Sequence, residues 1–299
     1  MTVRAAVLDV GSNSVRLLLL ERMTLHGALG ERRATVTGLR KGAQADGTVA
    51  QDALDRLDAC LAGYAEAIAD AGWPPVVAVG TAAVREAPNR DEIAAVVHRR
   101  LNTDLVVVTG EQEAALAYRG ARMALTDPDG PCRMIDIGGA STEIVAGDAS
   151  GPRHVVSLPL GVVRNAGDTV EGARAEARAR VAEATAAFPV DGPLIGLAGT
   201  VTQAAALCNG RYDPDEIHRQ RLGRDSIERV LAEAAGLDLR ARRVLPGMHP
   251  DRADVIVNGM AILLGAMSAL AVDEVIVSER DLLDGIAGDP ALVPATLTE

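Results

Sequence analysis

The feature that most limits what this chain can become is a repeat. AAVLDVGSNSVRLLLL at 5–20 and CRMIDIGGASTEIV at 132–145 share one order: apolar strand, aspartate, one apolar residue, glycine, two residues, serine, apolar strand. Asp9, Gly11 and Ser14 thus match Asp136, Gly138 and Ser141. A carboxylate set into an apolar strand is costly to desolvate unless it is paired, bound to a metal or placed at a mouth open to water. Its return at the same place in both halves is the mark of a duplicated strand, turn and strand.

The segments around the two copies alternate helix and strand. Residues 54–72 have helical apolar spacing and a glycine stop at Gly72, and the valine-rich 76–80 and 105–108 read as strands. A helix follows from EQEAALAYRGARMAL, and the turn-rich TDPDGP at 126–131 separates the halves. The second half adds a strand at HVVSLPLG, a helix over 170–187, and LIGLAGTVTQAAAL, a strand running through Gly196, Gly199 and Thr200 into a helix. ADVIVNGMAILLGAMSAL then reads as helix, EVIVS as strand and RDLLDGIAG as helix. Layered α/β domains alternate in this way, and 299 residues exceed the roughly 100–150 of a usual single domain. The expected domains are 1–125 and 131–299.

Composition removes whole classes of partner. A net charge of −11 and 2% aromatics argue against a nucleic-acid binder, which needs a basic surface or stacking platforms. The apolar run at 259–272 is short of the roughly 20 residues that span a bilayer, so it reads as a buried helix and no membrane partner is expected. Cys60, Cys132 and Cys208 are scattered without metal-ligand spacing, and their odd number without a readable signal peptide suggests a reduced, cytoplasmic setting.

Two turns of the type Asp-x-Gly-x-x-Ser offer backbone N–H groups and hydroxyls to an oxyanion-rich ligand, with glycine allowing close approach or a positive φ. A single copy would read as an ordinary tight hairpin. Two copies with a carboxylate at each strand end, and a third glycine turn holding Gly199 and Thr200, point to phosphate. Asp9 and Asp136 then stand where Mg²⁺ or another divalent cation is held, and strand alternation returns Glu143 to the same mouth, unless it is a plain solvent-facing strand residue. Glu111 and Glu113 start a helix, where carboxylates suit the dipole; a glutamate at that corner is also placed to act as a general base. Thr81 ends the strand at 76–80, and Arg85 beyond it is either a surface residue or a phosphate clamp.

Taken together, DVGSNSVRLLL, GTAAVREA, GEQEA, DIGGASTEI, SLPLGVVR, GLAGT, RADVI and VSERDLLDGI resemble the exopolyphosphatase and guanosine pentaphosphate phosphohydrolase (Ppx/GppA) family, in the actin, sugar-kinase and Hsp70 superfamily. The resemblance covers essentially the whole chain. It implies two ribonuclease-H-like domains with an active cleft between them. It also implies Glu113 as the base activating water, Arg85 as a phosphate contact and Asp136 with Glu143 as divalent-metal ligands. Gly11, Ser12, Asn13, Ser14, Gly138, Gly139, Ser141 and Thr142 match the phosphate turns, with Ala140 standing where the family has a third glycine.

The resulting expectation is an exopolyphosphatase that releases terminal phosphate from inorganic polyphosphate by Mg²⁺-assisted attack of water. The chain stops after one catalytic unit, without the helical extension of longer members, which favours short polyphosphates. Two alternatives stand beside it: a guanosine pentaphosphate 5′-phosphohydrolase of the stringent response, and a weakly catalytic sensor of polyphosphate or alarmone. A homodimer is compatible with each.

Overall fold

The computed structural model describes residues 2–44, 46–127, 129–139, 141–162, 169–188 and 192–297. The chain forms two compact units, residues 1–120 with 282–299 and residues 121–281. The first unit contains β1 (Ala5–Val10), β2 (Ser14–Thr24), β3 (Gly27–Val36), α1 (Gln51–Asp70), β4 (Val76–Gly80), α2 (Ala82–Glu86), α3 (Arg90–Leu101), β5 (Leu105–Val107) and α4, which begins at Gly110 and runs to Arg122. The second holds β6 (Cys132–Ile137), β7 (Thr142–Asp148), β8 (Gly151–Leu158), α5 (Val170–Ala184), β9 (Leu194–Leu197), α6 (Ala198–Asn209) and α7 (Pro214–Ile217). It continues with β10 (Arg221–Gly223), α8 (Arg224–Ala235), α9 (Leu239–Arg242), α10 (Ile256–Ala269) and β11 (Glu274–Val277). The last α-helix, α11 (Leu282–Ala287), returns to the first unit.

The duplication is a property of the fold as well as of the sequence. The first sheet is ordered β3-β2-β1-β4-β5, and the second β8-β7-β6-β9-β11 with β10 added at the edge. In each, the first two pairings are antiparallel and the next two parallel. This is the ribonuclease-H-like order, present once per unit. Apolar strands hydrogen-bonded on both sides explain the continuous hydrophobic runs, because a central strand with covered faces has no solvent side to mark by polar residues.

The sequence division at 126–131 and the structural one differ at the C-terminus. Leu282, Leu283 and Ile286 of α11 pack with Ala5, Val7, Leu18 and Leu20 of the first sheet. Their helical period identifies an amphipathic helix but carries no information about which of two aliphatic cores receives it. The expected helix at 259–272 lies largely in α10, most of whose residues are buried. Among the described residues no helix is long and apolar enough to cross a membrane.

Helices α1 and α3 brace the first sheet. Tyr64 of α1 donates its hydroxyl to the Val15 carbonyl at 2.9 Å, and burial pushes its pKa up to about 12, so it stays a neutral donor beneath the first turn. Asp58 of α1 accepts from Arg99 Nη2 at 2.8 Å and Arg100 Nε at 2.8 Å. The Arg100 guanidinium, with Arg99 beside it, holds the Asp58 carboxyl far below its usual range. A depressed folded pKa stabilises above the unfolded value and is lost as pH falls through the folded one. Asp58→Asn should therefore lower the melting temperature at pH 7 and have little effect near the acid limit of the fold. An equal loss at both pH values would remove the pair from the stability of α1 against α3.

The cysteines are packing residues, as their spacing suggests. Cys60 and Cys132 are buried, Cys208 is half-buried and none forms a disulfide. Burial raises the thiol pKa of Cys60 and Cys208, which disfavours the reactive thiolate.

Candidate active site: a matched turn in each unit

In the first unit the β1–β2 turn closes when the Gly11 N–H donates to the Ser14 carbonyl at 3.1 Å. The Ser12 carbonyl accepts from Arg40 N at 3.2 Å, and the Asn13 carbonyl from Thr37 N at 3.0 Å and Gly38 N at 2.8 Å. In a trans peptide the N–H points opposite to the preceding C=O, so the amides of Asn13 and Ser14 face away from that supporting loop. Two donors are thereby presented on the outer side of the turn, as an anion cradle requires.

The second unit repeats the device. Gly138 N donates to the Ser141 carbonyl at 2.9 Å, and the Gly138 carbonyl accepts from Val162 N at 3.0 Å, turning the Gly139 amide outward. A β-carbon at Gly11 would lie 3.0 Å from Ser14 O, and one at Gly138 3.3 Å from Ser141 O. Neither glycine has a positive φ. Glycine suits these two positions because the turn closes tightly on itself, and not because of a left-handed backbone. Ala140 and the Val163 and Arg164 of SLPLGVVR lie outside the described residues.

Three threonines of the expected phosphate set secure the backbone around these turns. Thr81 donates its hydroxyl to the Val10 carbonyl at 3.4 Å, and Thr200 to the Ile137 carbonyl at 3.3 Å. Val10 and Ile137 follow Asp9 and Asp136, so the two contacts are repeat-equivalent and pin β4 and β9 to the strand beside them. Thr142, fully buried, donates to the Leu160 carbonyl at 2.8 Å.

Arg85 and Glu113, singled out separately in the sequence, are brought together. Arg85 Nη1 donates to Glu113 Oε2 at 2.9 Å and to the Val108 carbonyl at 2.8 Å, with the two side chains 29% and 30% exposed. Helix α4 starts with a reciprocal cap: Gln112 N donates to Thr109 Oγ1 at 3.1 Å, and Thr109 N to Gln112 Oε1 at 2.9 Å. That cap fixes the first turn, in which Glu113 N donates to the Thr109 carbonyl at 2.9 Å. Glu111, in the same turn, is exposed. Glu113 is thus a partly solvated carboxylate on a rigid helix start, held by a guanidinium that an incoming phosphate could compete for.

The carboxylates at the strand ends separate the two units chemically. Asp136 pairs in register with Glu143, and Asp9 with Arg16. The position opposite the aspartate is therefore acidic in one unit and basic in the other. Asp9, 3% exposed, accepts from Arg16 Nε at 2.9 Å and Nη2 at 2.7 Å on the same oxygen. Glu143 accepts from Ser157 Oγ at 2.7 Å. Two carboxylates directly opposite on one sheet face repel unless a cation intervenes. Mg²⁺ commonly takes one or two carboxylates and completes its shell with water and phosphate oxygens. The donor set of Asp136 and Glu143 fits that ion, and among the described residues no group of three or more His, Cys, Asp or Glu forms a fuller cage.

One feature of the second unit is hard to see in the sequence. An ideal β-carbon on Gly199 would fall 1.4 Å from Arg252 Nη1, so the Arg252 guanidinium lies directly on Gly199 at the start of α6. The preceding residue, Ala198, has φ +58, a conformation L-residues rarely adopt and one that clusters at functional turns. Arg252 opens the quoted RADVI; its only sequence signal was that motif, because its partner glycine is distant in the chain.

The chain matches the Ppx/GppA phosphatase family over residues 25–290. It is 35% identical to Exopolyphosphatase 2 of Mycobacterium tuberculosis, an alignment covering 95% of this chain and 97% of that protein. It is 28% identical to the guanosine-5′-triphosphate,3′-diphosphate pyrophosphatase of Aeromonas hydrophila, over 94% of this chain and 58% of the relative. Among solved structures, the type II variant of the Aquifex aeolicus Ppx/GppA phosphatase superposes with a TM-score of 0.81 at 27% identity, covering 96% of this chain and 98% of that one.

Proposed function

The chain belongs to the Ppx/GppA phosphatase family, and from that premise we propose that it is an exopolyphosphatase, hydrolysing the terminal phosphoric anhydride of inorganic polyphosphate. The observation that carries the reading is the Arg85–Glu113 contact at 2.9 Å. A carboxylate engaged by a guanidinium is a poor proton acceptor. When a terminal phosphate draws Arg85 to its own oxygens, Glu113 gains basicity and takes the proton of the attacking water, while Arg85 stabilises the charge on the phosphoryl oxygens. The outward amides of each turn are donors for phosphate oxygens, and Arg252 adds a positive charge at the Gly199 turn of the second unit. Asp136 and Glu143 are the residues that would hold a divalent cation, which when bound neutralises phosphate charge and polarises the phosphoryl group. Catalysis in this scheme rests on positioning and charge, as phosphoryl transfer allows.

Removal of the 5′ terminal phosphate of guanosine pentaphosphate is the same chemistry on another leaving group, and the name of the Aeromonas relative supports keeping it as the second reading. This reading places the protein in the cytoplasm, the reduced setting that the scattered cysteines suggest. Purified protein with Mg²⁺, given polyphosphates of defined short and long length and guanosine pentaphosphate, should release orthophosphate with the highest kcat/KM on a polyphosphate. A higher value on the nucleotide reverses the two readings. Binding without phosphate release from any of them makes the protein a sensor.

A further inference from the structure

Helix α11 ends the fold against the helix that carries Glu113. A β-carbon on Gly285 would lie 1.9 Å from the Leu116 carbonyl oxygen and 2.5 Å from its carbon. Backbones of α11 and α4 therefore meet there, with no room for any side chain. Leu116 stands three residues after Glu113, so the contact falls one helical turn from the carboxylate-bearing residue.

Further contacts make α11 a brace. Arg119 of α4 donates to Asp289 Oδ2 at 2.7 Å. Leu282, Leu283 and Ile286 share an apolar cluster with Leu116 and with Val108, whose carbonyl also receives Arg85. Helix α11 is also fixed to β3: Asp284, with no exposed surface, accepts on Oδ1 from Ala28 N at 2.9 Å and Arg32 Nη2 at 2.7 Å. The start of α4 is thus held from the C-terminal segment.

We propose that Gly285 is a positioning residue for hydrolysis: by letting α11 seat on the α4 backbone, it sets where Glu113 stands relative to Arg85 and to the attacking water. This rests on Glu113 as the base. A methyl group at 285 pushes α4 outward, and displacement of a catalytic group by about 1 Å can cost on the order of 10²-fold in rate.

The test is a cycle of Gly285→Ala and Glu113→Gln, assayed on a short polyphosphate with Mg²⁺ at a temperature where circular dichroism shows full folding. Gly285→Ala should lower kcat by about tenfold or more with KM within about threefold, as expected for a misplaced base. Amide exchange of the start of α4 should be faster in the same variant. On the Glu113→Gln background the added loss should be under about twofold, since a displaced base that is already absent costs nothing more. An unchanged kcat, or a loss of the same factor on both backgrounds, overturns the proposal. If Gly285→Ala does not fold, Asp284→Asn, which loosens the contact of α11 with β3, carries the same cycle. Failure of the underlying base assignment shows separately, as Glu113→Gln alone keeping more than about a tenth of turnover.

Discussion

Glu113→Gln should lower turnover by about 10²–10⁴-fold while leaving affinity for the phosphate chain within about threefold. Glutamine keeps the length of the side chain, and its amide oxygen still accepts from Arg85 Nη1, now at 2.9 Å from Glu113 Oε2, so the start of α4 stays in place. What is lost is the ability to take a proton. The engaged guanidinium gives the variant a second signature. With the carboxylate charge gone, Arg85 is released more easily to phosphate, so affinity should hold or rise as kcat falls. Arg85→Met should instead raise KM and lower kcat together, because it removes a contact made both to bound substrate and to the transition state. Binding of a non-hydrolysed polyphosphate analogue, measured by calorimetry alongside turnover, separates the two. Comparable losses of affinity in both variants would take Glu113 out of proton transfer and make it a structural partner of Arg85.

The parts of this site that the sequence discloses are those that repeat or are local in the chain. Asp9 and Asp136 could be matched because the hairpins holding them are contiguous, and the helix start with Glu111 and Glu113 follows its strand within a few residues. The joining of Arg85 to Glu113 was not legible, since it depends on how the end of β4 sits beside the start of α4. Arg16 shows a different limit. It and Glu143 both stand seven residues after the repeated aspartate, so their difference is visible in the letters, but only strand register sets it opposite the aspartate, as unlike charges in one unit and like charges in the other. Asp284 and Gly285 were hidden most deeply. An aspartate and a glycine in a helical stretch read as a polar face and a weak helix former, and their partners Ala28 and Leu116 lie far back in the chain. Close backbone approach leaves no periodic trace in a sequence, because what it demands is the absence of a side chain.

The register contrast yields the second large effect, which concerns the cation. Asp136→Ala should raise the Mg²⁺ concentration for half activity by at least the roughly 10–100-fold that even outer partners of a metal are worth. The weaker titration of Mn²⁺ by calorimetry should accompany it in the absence of substrate. Asp9→Ala removes an aspartate from the matching place in the other unit and should behave differently. There the charge opposite is Arg16, bonded twice to one Asp9 oxygen, so a tethered guanidinium already fills the role that a free cation would have between two carboxylates. Loss of Asp9 leaves Arg16 without those bonds and should cost about 1.5–3 kcal/mol of stability, with little change in the Mn²⁺ isotherm. Both outcomes follow from one difference in charge at equivalent positions of a duplicated fold. A cation affinity that fell equally with Asp9→Ala and Asp136→Ala would mean that both aspartates serve the ion and that the Arg16 pair opens to admit it. An isotherm indifferent to Asp136→Ala would remove the second hairpin from metal binding altogether, leaving Asp136 and Glu143 as partners within the sheet.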